Sequence, residues 1–155
     1  HGVAFADLNN DGDPDIGAES GGATRGVSHA RRLVENPGRG NYWSAVKLVG
    51  VKGNRAAIGA RITLTVAHQG RGTRSIHRAV TSGGSFGASP LEQHIGLGTS
   101  ARIESLDIWW PASNTRQHFA GVGRHQVVEI GELASGYPTL ERRPVRPGGP
   151  RGQTG

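Results

Sequence analysis

The amino-acid sequence predicts an all-β fold, an antiparallel β-sandwich or barrel-like domain, and two observations support this prediction. Glycine occupies 26 of the 155 positions, a content that favours turns and strands over helices. Short runs of alternating apolar and polar residues recur along the chain, and turn-forming residues separate them. No apolar run approaches the roughly 18 residues that a membrane span needs, so we expect no membrane span.

The first predicted strand lies close to the start of the chain, where Val3 and Phe5 alternate with smaller residues. The loop after it places oxygen-bearing side chains at alternate positions, with Gly12 to allow a sharp turn. Calcium prefers six to eight oxygen ligands at roughly 2.3–2.6 Å, and four of the five aspartates of the chain fall in this loop. The sequence therefore predicts a Ca²⁺ site. Its candidate ligands are Asp7, Asn9, Asp11, Asp13 and Asp15.

The loop does not match an EF-hand, which needs flanking helices and a bidentate glutamate at its twelfth position. That position is Ala18, and the acid Glu19 follows one residue late. Pro14 also lacks the backbone N–H that paired EF-hand loops use. The sequence thus predicts a calcium loop between strands, and an acidic, solvated turn without metal stays open as the alternative.

This strand and loop resemble the FG-GAP/VCBS repeat, the blade unit of integrin-type β-propellers, whose loops have the pattern D-x-N-x-D-G-x-P-D. The resemblance implies that Asp7, Asn9, Asp11 and Asp15 supply side-chain ligands. It places Asp13 where the family usually contributes a backbone carbonyl. Calcium would then be a structural brace rather than a catalyst.

The resemblance also implies a domain organisation. Residues 1–24 would be the C-terminal fragment of such a repeat, the last blade of a longer protein. Residues 25–40 are rich in Gly, Ser, Asn and Arg, which predicts a linker. A β domain is expected over 41–133, and the composition of 134–155 predicts a disordered tail.

Within the β domain, the clearest strands are residues 42–49, 61–66 and 103–110. Residues 61–66 alternate cleanly, and a turn at 70–72 leads into the returning arm of a hairpin. In the strand at 103–110, Trp110 shares a face with other apolar residues and is expected in the core. Trp109 points to the opposite face, where it is available to a sugar ring or a partner protein. Shorter runs at 117–119 and 126–130 close the series.

Four segments in this order resemble the ASPIC/UnbV domain over residues 41–130. The segments are N-R-A-A-I-G-A at 54–60, S-G-G-S-F at 82–86, H-I-G-L-G at 94–98 and L-D-I-W-W-P at 106–111. Domains of this family typically follow VCBS repeats. The family usually has Phe where Ile95 stands and a different run at 86–89. The resemblance implies an architecture, and no established catalytic residues come with it.

The charge and composition limit the partners. The formal net charge is +6, but the arginines are scattered and aromatic residues are few, so we expect no nucleic-acid partner. The absence of cysteine excludes disulfide frameworks and zinc–thiolate sites.

One pattern in the sequence matches that of a hydrolase. Residues 83–87 match G-x-S-x-G, and Asp107 and then His118 or His125 follow Ser85 in the order of a catalytic triad. Such a nucleophile needs a strand, a tight turn and a helix, and no helical run follows. Ser85 is better interpreted as a turn residue, and the histidines as isolated structural residues.

The sequence thus favours a calcium-binding extracellular adhesion or recognition module without catalytic activity. Its partner would be a glycan or a protein at the cell surface or matrix, and the protein would be secreted or on the cell surface. The competing hypothesis is an intracellular accessory protein or enzyme of enediyne- or polyketide-type natural-product biosynthesis.

Overall fold

The computed structural model describes residues 2–19, 31–68, 70, 72–84, 86–100 and 102–145. All the secondary-structure elements within those residues are β-strands, which confirms the all-β prediction. This part of the chain has no helix long and apolar enough to cross a membrane. In chain order, the strands are β1 (Gly2–Ala6), β2 (Asp15–Glu19), β3 (Arg32–Val34), β4 (Tyr42–Val49), β5 (Arg61–His68), β6 (Gly72–Ala79), β7 (Gln93–Gly98), β8 (Arg102–Trp110), β9 (Thr115–Phe119), β10 (Val127–Gly131) and β11 (Thr139–Leu140).

The first sheet is small and has the strand order β1-β2-β3. β1 and β2 form an antiparallel hairpin, with Phe5 opposite Ile16, and the predicted calcium loop connects them. The predicted linker at 25–40 contains β3, which pairs with β2 through Leu33 opposite Gly17. Sequence periodicity could not identify β3, because it has only three residues and all of them are exposed.

The second and third sheets pack face to face as a sandwich. Their strand orders are β11-β10-β4-β7 and β6-β5-β8-β9. β4 and β10 run parallel, with Ala45 beside Val127, and the other ladders of these two sheets are antiparallel. Each sheet ends in two edge strands, so the sandwich is not closed into a barrel.

The core lies between these two sheets and follows the predicted alternation. Ile62, Leu64 and Val66 of β5 all face inward, and Trp110 of β8 joins them. Burying a side chain of this size stabilises the fold by roughly 1.5–3 kcal/mol. The opposite sheet contributes buried residues from β4, β7 and β10, among them Val46, Leu48, Ile95, Leu97, Val128 and Ile130.

A β-bulge keeps β8 in phase with this core. Ile103 and Leu106 are both buried although they lie three residues apart, whereas strict alternation places inward residues two apart. The pairing between β5 and β8 shifts register between Thr65 and Val66. The bulge adds one residue to β8, so that the side chains of Ile103 and Leu106 both point into the core.

Two polar side chains, the half-buried Gln117 and the buried Glu132, connect elements at one end of the sandwich. Gln117 donates from Nε2 to the carbonyl oxygens of Gly131 (3.0 Å) and Ala134 (2.7 Å). Its Oε1 accepts a hydrogen bond from the indole Nε1 of Trp110. The Trp110 indole and the two backbone carbonyls thus form hydrogen bonds with Gln117 in place of those they would form with water in the unfolded chain.

Glu132 is the second of these side chains, and it is 4% exposed. Its carboxylate accepts hydrogen bonds from the Ser113 hydroxyl and from the backbone N–H groups of Val51 and Lys52, the latter two at 2.7 Å. The Ser113 hydrogen bond and these backbone donors outweigh the effect of burial and lower the pKa of Glu132 to about 2. The charged form therefore stabilises the turn after β4.

The chain after β10 differs from the predicted disordered tail at 134–155. Tyr137 packs edge-to-face on Phe119, with ring centroids 5.5 Å apart. β11 then pairs with β10 through Leu140 opposite Val127. These two contacts supply apolar burial that the proline-rich composition did not predict.

The tail continues onto the N-terminal loop. Arg142 donates from Nη2 to Glu92 Oε2 at 2.6 Å, and the backbone N–H of Val145 donates to the carbonyl of Asn9 at 2.6 Å. Residues 134–145 thus follow a defined path. The rest of the predicted tail, 146–155, lies outside the described residues.

Glu132→Gln should destabilise the fold by about 1–3 kcal/mol at neutral pH, because buried donors lose a charged acceptor. The pKa of the folded state is below the ordinary value of 4.5. The contribution is therefore fully present above pH 4.5 and is lost as pH falls towards 2. Urea unfolding across this pH window should show a smaller acid-induced loss in the variant than in the wild type.

Glu129→Gln is the matched control, since Glu129 forms a partly exposed ion pair with Lys47. It should change stability by less than about 1 kcal/mol. Equal acid sensitivity of the wild type and Glu132→Gln would contradict this role of Glu132.

Candidate functional site

The loop between β1 and β2 brings three of the predicted calcium ligands together. Asp7 accepts hydrogen bonds from the N–H groups of Asp11 (Oδ1, 3.1 Å) and Gly12 (Oδ2, 2.9 Å). Asn9 Oδ1 accepts from the same N–H of Asp11 at 3.1 Å. Oxygens from Asp7 and Asn9 therefore converge on one backbone amide.

The loop also recruits a carboxylate that sequence reasoning missed, Glu35. The side-chain amide of Asn9 donates to Asp11 Oδ2 at 2.7 Å and to Glu35 Oε1 at 3.2 Å. Asn9 is only 6% exposed, so two carboxylates meet at one largely buried, uncharged donor. Asp11 and Glu35 are themselves exposed, so water weakens the repulsion between their carboxylates. No local signal marks Glu35, because it follows β3, far along the chain from the loop.

Asp13 and Asp15 face a different segment, residues 36–38. Asp15 is 2% exposed and accepts from the N–H groups of Leu8 (3.1 Å) and Asn36 (2.9 Å). Asp13 Oδ2 lies beside Gly38, where an added Cβ would meet it at 2.5 Å. Asp15 thus fixes the loop to the residues after β3.

Calcium fits the converging residues by the chemistry of their donors. Asp7, Asn9 and Asp11 offer carboxylate and amide oxygens, the ligands that hard cations prefer. Within the described ranges, no group of three His, Cys, Asp or Glu side chains is close enough to hold a metal ion. The fit therefore rests on the donor types and on the convergence at the Asp11 amide.

Trp43 and His94 of the sandwich form the wall against which this loop packs. Their rings stack with centroids 5.5 Å apart and an interplanar angle of 20°. Gly12 has φ +97° and lies under the indole, so that a Cβ there would be 2.0 Å from Trp43. Only glycine adopts this backbone conformation without strain and leaves room for the ring.

Charged groups surround His94 on the same wall. Its Nε2 lies 3.6 Å from Glu92 Oε1 and 4.0 Å from Asp7 Oδ2. Burial raises the pKa of Glu92, but the contact with His94 and the charge of Arg142 outweigh it, so the pKa is lowered overall. These residues line a cavity of about 460 Å³ between the loop, the sandwich and the tail.

A second groove, with a volume of about 670 Å³, lies on the outer face of the β6-β5-β8-β9 sheet, far from the loop in sequence. We call it the outer groove. Sequence alternation had placed Trp109 on this face, and the structure agrees. In one row across the strands, Trp109 lies between Arg61 and Arg116, with each guanidinium carbon 5.2 Å from the indole centroid. The residues that line the outer groove are Arg61, Ile62, Thr63, His77, Arg78, Ala79, Asp107, Ile108, Trp109, Arg116, Gln117 and His118.

The neighbouring row of the outer groove is polar. His77 Nδ1 lies 3.0 Å from the hydroxyl of Thr63, and His118 Nδ1 lies 2.7 Å from Asp107 Oδ1. Ser105 also donates to Asp107, at 2.8 Å. Each histidine is therefore engaged by a neighbouring strand.

Two residues of the possible hydrolase triad, Asp107 and His118, lie close together, with His118 Nδ1 2.7 Å from Asp107 Oδ1. His125 lies elsewhere, with its ring edge-on to those of Tyr42 (5.4 Å) and Trp43 (5.8 Å). Ser85, the candidate nucleophile, lies outside the described residues.

The family model described as ASPIC and UnbV matches residues 50–136, which span the sandwich from the turn after β4 to the residues after β10. The predicted calcium loop lies outside this range. No curated protein matches the chain.

Gly12→Ala should destabilise the protein more than Gly59→Ala, which is its matched control. Both glycines have nearly the same φ (+97° and +98°), but the space around Gly59 is open. Backbone strain is thus common to both variants, and displacement of Trp43 adds about 1–3 kcal/mol in Gly12→Ala. Thermal unfolding measures the difference, and equal losses would contradict the contact between the loop and Trp43.

Proposed function

Because the chain belongs to the ASPIC and UnbV family, whose model matches more than half of it, we propose that it is a calcium-stabilised recognition module without catalytic activity. The module acts outside the cell, in a secreted or cell-surface protein, and binds a glycan or a protein. Residues 1–24 are proposed to belong to an FG-GAP/VCBS repeat. The β1–loop–β2 hairpin supports this assignment, because it places the acidic loop between two strands.

The single observation that carries the calcium proposal is the convergence of Asp7 and Asn9 oxygens on the amide of Asp11. Asp7, Asn9 and Asp11 would hold the ion, whereas Asp13 and Asp15, the other two predicted ligands, face residues 36–38 in this structure. When bound, calcium supplies positive charge that offsets the repulsion among these carboxylates. Without the ion, the carboxylates of Asp11 and Glu35 share the side-chain amide of Asn9 as a donor. This amide carries only a partial positive charge and offsets less of the repulsion than calcium would.

The recognition role is supported by the outer groove. It lies on an open sheet face, and its Arg61 and Arg116 side chains stack on Trp109. Arginine and tryptophan are enriched among residues that dominate binding energies. This sheet face is open to water, whereas many enzymes exclude water from the site of reaction.

The pairing of Asp107 with His118 is the observation that favours the alternative, an accessory protein or enzyme of enediyne- or polyketide-type biosynthesis. A carboxylate that orients a histidine recurs in acyl-transfer enzymes. In this chain, the same pair lies on a polar row beside stacked arginines, which suits ligand contacts equally well.

Calorimetric titration with Ca²⁺ should reveal one site per chain, with a dissociation constant on the order of 10⁻⁴–10⁻³ M, as in extracellular modules. Asp11→Ala should abolish the heat of binding, because it removes one of the converging carboxylates. Asp107→Ala removes a carboxylate from the outer groove and should leave the titration unchanged. If the wild type shows no heat up to millimolar calcium, the calcium proposal is wrong.

A fluorophosphonate probe should not label the purified chain, since the proposed module has no activated serine nucleophile. Mass spectrometry of the treated protein gives the readout. Stoichiometric labelling that Ser85→Ala prevents would replace the recognition module with a hydrolase.

A further inference from the structure

The row Arg61–Trp109–Arg116 is a prearranged site for anions. Trp109 of β8 is paired directly with Arg61 of β5 and with Arg116 of β9, so that one indole separates the two guanidinium groups. Adjacent strands lie about 4.8 Å apart, which puts the two arginine backbones roughly 9.6 Å from each other. The cation–π contact with the ring, at 5.2 Å from each guanidinium carbon to the centroid, favours this position of both groups and leaves their N–H edges available for bidentate contacts.

The charge of the outer groove is not compensated within it. Arg61 and Arg116 line the groove, and its single carboxylate is Asp107. Arg78 also borders the groove, but it pairs with the core residue Ile62, so its side chain starts from the opposite face of the sheet. The carboxylate of Asp107 already accepts hydrogen bonds from Ser105 and contacts His118. In addition, the buried Nε1 of Trp109 has no hydrogen-bond partner among the described residues, although buried donors are normally paired.

The polar row adds groups that suit hydroxyl ligands. Thr63, Asp107 and the ring nitrogens of the two histidines supply both donors and acceptors. This row lies two residues along the strands from the arginines, a distance of roughly 6.8 Å. A ligand that spans both rows must therefore carry hydroxyl groups and an anion within one repeating unit.

We propose that the outer groove binds an acidic polysaccharide containing uronic acid units. This inference rests on the proposed recognition function and names its ligand. The carboxylates of the sugar chain would occupy the guanidinium forks of Arg61 and Arg116, and its hydroxyl groups would contact the row of Thr63 and Asp107.

Two other classes of polymer fit the groove less well. Single-stranded nucleic acid binds through several aromatic faces that are free for base stacking, whereas this groove has one indole and arginines stack on it. A peptide bound by strand addition needs a free sheet edge, and an acidic peptide bound by arginine clusters makes no use of a hydroxyl-binding row such as that of Thr63 and Asp107. The groove lies on the face of the sheet and spans all four strands, β6-β5-β8-β9, so it does not run along one edge.

The test is binding of polygalacturonate to the full chain, measured by calorimetry in the presence of EDTA. The chelator makes the result independent of the calcium loop, so that the two proposals can fail separately. The wild type should bind polygalacturonate and should not bind its fully methyl-esterified form, which keeps the sugar chain and loses the charge. Arg61→Ala combined with Arg116→Ala should weaken binding about tenfold or more.

The control removes the same charge elsewhere. Arg39→Ala combined with Arg102→Ala changes two exposed residues outside the groove and should retain the wild-type affinity. Arg61→Lys combined with Arg116→Lys keeps the charge but loses the planar forks, and it should also weaken binding. Thermal unfolding of each variant checks that the fold is intact.

Three results would overturn the proposal. The first is equal binding by the Arg61/Arg116 alanine variant and its control. The second is full affinity in the lysine variant, which would mean that only net charge matters. The third is tighter binding of polyglutamate or of oligothymidylate than of polygalacturonate, which would assign the groove to a peptide or to nucleic acid.

Discussion

The register between β5 and β8 is the constraint on which both faces of the main sheet depend. A shift of one residue would turn every side chain of a strand to the opposite face. In this register, Leu64 and Leu106 lie opposite each other in the core, while Arg61 and Trp109 meet on the outer groove. A bulge opposite Thr65 and Val66 accommodates one extra residue in β8. The packed core and the stacked arginines are therefore two results of a single pairing.

A second dependence joins the N-terminal loop to the sandwich. Trp43 lies over Gly12 and stacks on His94, and the tail reaches the loop through the N–H of Val145. The loop, the wall and the tail therefore share one interface. An ion bound in the loop would stabilise this interface as well as the loop itself, since ligands that bind only the folded state add to its stability.

The sequence predicted those parts of the fold in which a local pattern carries the information. The strict alternation of β5 and the turn that follows it identified the central hairpin, and the same reasoning put Trp110 in the core and left Trp109 outside. It missed β3, β11 and Glu35, because these depend on partners far along the chain. The path of residues 134–145 was missed for the same reason: Tyr137 gains its packing from Phe119, and no composition rule reports such a contact. Likewise, alternation indicated that Trp109 is outward, but only the cross-strand register places an arginine on each side of it.

The parallel pairing of β4 with β10 also affects how the domain can fold. Ser44 and the carbonyl of Gln126, at the start of this ladder, are 82 residues apart in the chain. Closing so long a loop costs entropy before the contacts formed can offset it, and non-local pairings of this kind slow folding. Until β10 has been synthesised, one side of β4 remains an unpaired edge, and such edges can pair with other chains. During synthesis, therefore, the central strand of this sheet stays open to aggregation almost until the end of the domain emerges.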